Sequence, residues 1–431
     1  MPDTLKEWLA CIERQHPQAI EMGLDRVRDV AVRMGLGRPG RRVITVAGTN
    51  GKGSTVAFVE AIARAAGLRT GAYTSPHLLD YRERVRIDGA DADDGALVQA
   101  FAAVEAARGD TPLTYFEFGT LAALWLFERA ELDLAILEVG LGGRLDATNL
   151  VDADVAVITT VDLDHQDWLG PDRESIGVEK AGIARAWKPL VLGEDDPPAS
   201  VLRHAYALGA SAIRAGSDFF FEPLDAARWR WRELQYSLEL PRPVLAAPVQ
   251  LRNAAAAIAA LRALDLEVPD AAIASGVAAA RLPGRLQHFD QCGVDVRVDV
   301  GHNPQAAREL AAWLAANPVT GRIRALYAPL ADKDPPGVVA ALAPQVDEWW
   351  LAGTPGAGPR GIALVDLVER LRGTAAAGAR GGDEPAAALA AVLDASGRGD
   401  RVLVFGSFHA AEVALRALRG AGSEAGGHPG V

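Results

Sequence analysis

Lys52 lies in the stretch Gly48-Thr49-Asn50-Gly51-Lys52-Gly53-Ser54, between a run of small and β-branched residues, Val43–Ala47, and a helix-periodic series, Val56, Phe58, Val59, Ile62, Ala63 and Ala66. A buried strand, a glycine-rich turn and a helix, in that order, turn backbone N–H groups and a helix N-terminus towards an anion. In that setting the Lys52 ammonium would meet the β- and γ-phosphates of a nucleotide, and the Ser54 hydroxyl could reach their Mg2+. The spacing departs from the general phosphate-loop pattern, which places four residues between the first glycine and Gly-Lys and a hydroxyl residue directly after the lysine. Two residues separate Gly48 from Gly51-Lys52, and Gly53 precedes Ser54.

Other polar residues also stand where apolar runs end. Glu138 closes Leu132–Glu138 and is an acid expected to hold Mg2+, directly or through water. The segment Asp162-Leu163-Asp164-His165-Gln166-Asp167 follows the buried run Val155–Thr160, and its composition suits a metal site or a solvated loop equally. Lys180 in Glu179-Lys180-Ala181-Gly182 reads, taken alone, as an ordinary solvated helical lysine. Asp299-Val300-Gly301-His302-Asn303-Pro304 ends another strand in polar groups, with proline at a favourable first helical position. Gly406-Ser407-Phe408-His409 closes the last strand in the same manner. Polar loops aimed from strand ends in both halves point to a cleft.

Helical spacing covers 4–15, 24–35, 93–108 and 117–130, with short strands near 68–73, 132–138 and 155–160. Strands that are almost continuously apolar and alternate with helices predict a parallel sheet covered on both faces, whose ligands sit beyond the strands' carboxyl ends. From 195 to 250 the pattern weakens, and Trp229-Arg230-Trp231, Tyr236-Ser237-Leu238 and Val249 suggest short antiparallel strands. Alanine-rich helices are expected over 253–264 and 269–280, and Pro283-Gly284 marks a break. Alternation resumes with strands at 294–300, 323–327, 346–351 and 401–405 and helices at 304–315, 337–343 and 363–372; 353–361 and 373–386 read as surface loops. The expected organisation is an α/β protein with an N-terminal P-loop-type ATPase domain, 1–284, a hinge at 285–292, a smaller Rossmann-like domain at 293–419 and a disordered tail at 420–431.

A chain of 431 residues, 49% hydrophobic and 23% charged, fits a soluble multidomain protein. Its net charge of −12 argues against a nucleic-acid partner but not against phosphates held locally. Cys11 and Cys292 form neither a disulfide framework nor a thiolate metal site. No signal peptide or membrane-length apolar run is read, so a cytoplasmic location is expected.

Gly48–Ser54, Ser75-Pro76-His77-Leu78, Thr114–Thr120, Glu138–Asn149, Leu163–His165, Glu179–Gly182, Leu282–Arg285, Asp299–Pro304 and Gly406–His409 together resemble folylpolyglutamate synthase, in order and spacing, across residues 5–418. The intact Thr114–Thr120 segment with Ile20-Glu21-Met22 is similar to the bacterial bifunctional type, which also makes dihydrofolate and is related to the Mur ligases of cell-wall synthesis. This resemblance implies a Mur ligase-like fold. It implies an ATP-dependent enzyme joining L-glutamate to dihydropteroate and to tetrahydrofolate or folylpolyglutamates through an acyl phosphate. It further implies that Thr49, Asn50, Gly51, Lys52, Gly53 and Ser54, with Asn253, Arg285 and Asp299, contact ATP. Ser75, Glu138 and His165 would bind Mg2+, with two such sites and a monovalent cation such as K+ expected. Ile20, Glu21, Met22, Thr114, Tyr115, Phe116, Glu117, Leu145, Asp146 and Ala147 would line the dihydropteroate pocket. Lys180 matches a lysine carbamylated in the family, and His302, Ser407 and His409 would lie on the glutamate side. A monomer is expected. Gly301 stands where alanine is common, and Arg252 precedes Asn253 where other polar residues are usual.

Two rivals fare less well. A peptidoglycan-precursor ligase would need a further N-terminal domain, and about 40 residues before the first strand are too few for one. A GTPase-like switch would need an Asn-Lys-x-Asp base-reading motif, which is absent.

Overall fold

The computed structural model describes residues 2–16, 21–264 and 266–424, in two units: 1–244 with 250–281, and 245–249 with 282 onward. In the first unit β1 (Arg42–Ala47), β2 (Thr70–Tyr73), β3 (Val85–Ile87), β4 (Ala90–Asp91), β5 (Leu134–Glu138), β6 (Val155–Ile158), β7 (Pro189–Leu192) and β8 (Ser211–Arg214) form one sheet, in the order β4-β3-β2-β5-β1-β6-β7-β8. β1 pairs in parallel with β5 on one side and β6 on the other, Val46 standing opposite both Glu138 and Val157. Central position explains its composition: Val43, Ile44, Val46 and Ala47 are fully buried, as a strand covered on both faces requires. Because β1, β5 and β6 run the same way, their carboxyl ends bring Gly48, Glu138 and Thr159 to one edge. β3 and β4 add an antiparallel fringe.

Helices Leu5–Gln15 and Asp25–Met34 pack with Tyr115–Arg129 over one face, burying Trp8, Ile12, Val27, Phe101, Phe118 and Phe127 together. Thr4 and Glu7 form a reciprocal capping box at the first of these helices, as Thr114 and Glu117 do at Tyr115–Arg129. Further along the same face Ile158, Val161, Ile176, Ile183 and Val201 form a second apolar body with helices Arg173–Ala181 and Ala199–Leu208.

β9 (Phe220–Pro223), β10 (Arg228–Arg232) and β11 (Ser237–Pro241) are the antiparallel strands expected around Trp229 and Tyr236, with Trp229 and Trp231 fully buried beneath an arginine- and glutamate-rich outer face. The weak pattern after 195 also hides the helix Ala199–Leu208 and β8, which prolong the main sheet. Val249, expected in a strand, instead opens the helix Val249–Ala263.

The second unit holds β12 (Gln287–Gln291), β13 (Val294–Val298), β14 (Ile323–Tyr327), β15 (Glu348–Ala352), β16 (Arg380–Gly382) and β17 (Arg401–Phe405), in the order β12-β13-β17-β14-β15-β16. Residues 285–292, expected as a hinge, include the whole of β12. β12 pairs antiparallel with β13 through a two-residue turn, Cys292-Gly293, in which both residues have positive φ. Gln-His-Phe-Asp-Gln looks like a linker because an edge strand exposed on one side can be polar. The expected surface loop at 373–386 likewise contains β16 and the start of the helix Pro385–Asp394. Its glycines serve contact rather than flexibility: a Cβ on Gly381 would stand 2.8 Å from the Leu351 carbonyl oxygen. The final helix runs from Phe408 to Glu424, so 420–424, expected to be disordered, are helical, and the remainder of that segment lies outside the described residues.

Candidate active site

The phosphate loop is shaped by residues more than a hundred positions away. Thr159 Oγ1 donates to the Asn50 carbonyl at 2.6 Å, the Asn50 N–H donates to Thr160 Oγ1 at 3.1 Å, and the Asp162 N–H donates to Thr49 Oγ1 at 3.0 Å. Gly48 has φ 151°, and a Cβ there would lie 1.8 Å from Thr159 Oγ1. Gly51 has φ 89° and faces Asn253, whose Oδ1 would be 2.5 Å from an added Cβ. Asn253 is itself held by Gln250 at 3.0 Å, so the loop and this predicted nucleotide contact are neighbours.

The helix Lys52–Ala65 starts at Gly51 without a side-chain cap, and its first intrahelical bond is donated by Thr55. The N–H groups of Lys52, Gly53 and Ser54 thus remain as donors at the positive end of the helix dipole. Lys52 Nζ folds over them, 3.0 Å from the Gly48 carbonyl and 3.3 Å from that of Thr49. Uncapped donors beneath a cation suit a polyphosphate. Gly48→Ala would force the Thr159 hydroxyl out of the loop at a cost of about 3 kcal/mol. ADP affinity, measured by titration calorimetry, should then fall about 100-fold.

At the same edge Glu138 is 4% exposed and accepts the Ser75 N–H at 3.1 Å, joining two of the three predicted metal ligands. Their oxygens are the hard donors that Mg2+ favours. His165, the third, has φ 52° and precedes the short helix Gln166–Leu169; its Nε2 is 3.9 Å from Asp164 Oδ1. Among the described residues no three His, Cys, Asp or Glu side chains are already gathered as a metal cage.

Lys180 is not the solvated lysine its helix suggests. It is 3% exposed, and burial, reinforced by the charge of Lys52, lowers its pKa to about 7. The loop after β5 packs on its helix: the Arg144 N–H donates to the Glu179 carbonyl at 2.8 Å, and Asn149 Nδ2 bridges the Arg144 and Gly182 carbonyls.

Of the predicted pterin-pocket residues, Ile20 lies outside the described residues. Glu117 accepts from Thr114 N–H and Oγ1 and from Arg26 Nε at 2.9 Å, and Arg26 in turn pairs with Glu21. Asp146 is spent within its own loop, accepting from the N–H groups of Gly140, Leu141 and Thr148 and from Thr148 Oγ1; burial still raises its pKa. Leu145 and Ala147 flank it, Ala147 buried in the same core as Phe118. Phe116 stands 5.9 Å from the Tyr73 ring, and Tyr115 5.9 Å edge-on to Tyr81. Met22 packs partly buried on the second apolar body, the one around Ile158 and Ile176.

In the second unit Asp299 accepts from the Leu286 N–H at 2.8 Å and the Gly301 N–H at 2.7 Å; burial raises its pKa against the opposing charge of Arg285. Arg285 lies 5.6 Å over the Phe408 ring. His302 Nδ1 is 3.0 Å from the Val300 carbonyl, and Asn303 caps the helix that begins at Pro304. Ser407 Oγ donates to the Ala328 carbonyl at 2.7 Å and accepts the Ala410 N–H, whereas His409 Nε2 is buried without a partner.

Sequence reasoning missed the hydroxyls of Thr159 and Thr160, taken as strand. It also missed Arg26, Arg84 and a brace at Glu194. Glu194 accepts the Val161 N–H at 3.0 Å and pairs with Arg173, whose Nε donates to the Val161 carbonyl at 2.8 Å; burial raises the Glu194 pKa to about 7. An acid just beyond β7 was the available signal; the arginines carry none.

Residues 46–261 match the Mur ligase middle domain, and residues 284–408 match the Mur ligase glutamate ligase domain. The chain is 48% identical to the dihydrofolate synthase/folylpolyglutamate synthase of Escherichia coli K12, over 94% of this chain and 93% of that protein. Among solved structures it is similar to E. coli FolC in complex with DHPP and ADP, with TM-score 0.92 and 45% identity, covering 98% of this chain and all of that one (100%). It is also similar to a bifunctional folylpolyglutamate synthase/dihydrofolate synthase with Mn, AMPPNP and L-glutamate bound, with TM-score 0.89 and 46% identity over 97% of this chain and 98% of the other.

Proposed function

Since the chain belongs to the Mur ligase family, in its dihydrofolate synthase/folylpolyglutamate synthase branch, we infer that the edge beyond β1, β5 and β6 is where it activates a carboxylate for amide formation. The protein is an ATP-dependent ligase that adds L-glutamate to dihydropteroate and to reduced folates, using ATP and a divalent metal. The observation that carries the assignment to this edge is the uncapped start of the helix Lys52–Ala65 with Lys52 folded over it.

The substrate carboxylate attacks the γ-phosphorus of ATP, giving an acyl phosphate and ADP; the amine of glutamate then attacks the acyl carbon, expels phosphate and loses a proton. Lys52 and the N–H groups of Lys52, Gly53 and Ser54 would stabilise charge on the transferring phosphoryl group. Thr49 and Asn50, fixed by Thr159, Thr160 and Asp162, would hold the loop to receive it without rearrangement. Asn253, Arg285 and Asp299 would supply further contacts to the nucleotide. Ser75, Glu138 and His165 would hold the divalent ion, which when bound neutralises phosphate charge. Two such sites and a monovalent cation belong to the proposal.

Buried Lys180, carbamylated, would add an anion beside them. Only a neutral amine adds CO2, and burial supplies that state. Met22, Glu21, Thr114–Glu117 and Leu145–Ala147 would surround the pterin, Glu117 and Asp146 by shaping the wall rather than touching the ligand. His302, Ser407 and His409 would face glutamate, His409 offering an unpartnered nitrogen. We further propose a cytoplasmic monomer. No described helix is long and apolar enough to cross a membrane.

ATP turnover measured with dihydropteroate and glutamate together, and with either alone, tests the assignment. Release of ADP should require the pterin, and amide formation should require both. Turnover indifferent to both would sink it.

A further inference from the structure

Arg84 is 8% exposed, yet no carboxylate lies within ion-pair distance of it among the described residues. Its Nε donates to His77 Nδ1 at 2.9 Å, and its guanidinium carbon sits 5.3 Å from the Tyr81 ring centroid and 5.4 Å from that of Tyr115. The other buried arginines among the described residues, both in the second unit, are treated differently: Arg324 pairs with Glu348 and Asp400, and Arg401 with Asp295; half-buried Arg26 likewise pairs with Glu117. The nearest acid in sequence, Glu83, is occupied by the N–H groups of Leu78, Leu79 and Asp80. A sequestered cation without a counter-charge is costly, and two aromatic faces return only a small part of its lost hydration.

Its place gives the vacancy meaning. The Thr74 N–H donates to the Arg84 carbonyl at 2.9 Å, which pins Arg84 beside Ser75 at the end of β2. On the other side the half-buried rings of Tyr115 and Phe116 form an aromatic wall, backed by the buried rings of Tyr81 and Tyr73 respectively. Arg84 therefore stands between the wall suited to a flat heterocycle and the edge where Ser75 and Glu138 meet.

We propose that Arg84 binds the carboxylate of the pterin-linked substrate, orienting it towards the phosphate loop and completing the arginine's missing ion pair. The proposal rests on the ligase function stated above and names the residue that selects the acid. A planar guanidinium offers two parallel N–H donors to such a group, which a lysine does not.

The test compares binding of dihydropteroate with binding of its neutral carboxamide, by fluorescence titration in the presence of ADP. Wild-type protein should prefer the acid by about tenfold or more, the scale of one charge-assisted pair. Arg84→Gln should lose that preference by weakening the acid alone, leaving the amide and ADP within about twofold, and Arg84→Lys should fall between, on the same scale. Equal weakening of acid and amide in both variants would show a merely structural role. A loss confined to ADP would assign the guanidinium to phosphate. Either result, or a wild-type protein indifferent to acid and amide, overturns the proposal. If the glutamine variant does not fold, the wild-type and lysine measurements decide it. Failure of the ligase assignment would appear separately, as wild-type protein that binds the acid but makes no amide.

Discussion

Lys52→Ala should lower kcat for amide formation by about 10³-fold, the effect of removing a preorganised electrostatic donor from a phosphoryl-transfer site. The reason is local. Lys52 is the cation folded over the uncapped start of its helix, within 3.0 Å of the Gly48 carbonyl. Its partner carbonyls are neutral, so an arriving γ-phosphate would compete well for the ammonium. The KM for dihydropteroate should barely move, because the aromatic wall lies off a different strand. Steady-state kinetics with each substrate varied in turn would check both parts. A fall smaller than about tenfold would mean that the backbone donors carry the charge without the lysine.

Lys180→Ala should remove a comparable share of activity, about 10²- to 10³-fold, if an anion built on that lysine belongs to the site. Short carboxylic acids such as acetate or propionate should then restore part of the rate to the alanine variant and none to the wild type. Absence of rescue over a wide concentration range would argue for the bare amine. The lowered pKa also has a sign that can be measured. In CO2-free buffer the native lysine sheds its proton near pH 7, whereas the unfolded chain keeps it up to the ordinary value of 10.5. Between those limits the unfolded state binds more protons, so stability rises with pH across the window, and below it the full penalty of a buried cation applies. Lys180→Met should flatten that rise in urea titrations at pH 7 and 9. Carbamylation would flatten it in the wild type as well, since the modified nitrogen no longer titrates as an amine.

Strands with continuous apolar runs were the most legible part of the fold. β1, β5, β6, β14 and β17 are buried along nearly their whole length, and that burial is written in their Val, Ile and Leu content. The edge strands were not legible. β12 and β16 are partly exposed, so hydrophobic selection does not mark them, and their residues resemble linkers. The same distinction holds at the site. Gly48–Ser54 and Glu138 stand out because a strand must end before each of them. Lys180 looked ordinary because its burial comes from tertiary packing by Gly140–Asn149, which local sequence does not reveal. Arg84 was invisible for a related reason. What distinguishes it is a missing counter-charge among its neighbours, and that is visible only in three dimensions.

The stitching of the phosphate loop also sets an order of events in the making of the protein. Thr49 and Asn50 are held by groups 113 and 110 residues later, and Gly51 is backed by Asn253. A ribosome adding 5–20 residues per second would need about 10–40 s to reach Asn253 after Gly48 has been made. Through that interval the nascent chain carries the Gly-Lys signature without the scaffold that gives it shape. Nucleotide capture is therefore expected only late in synthesis, once the chain as far as Asn253 has been made.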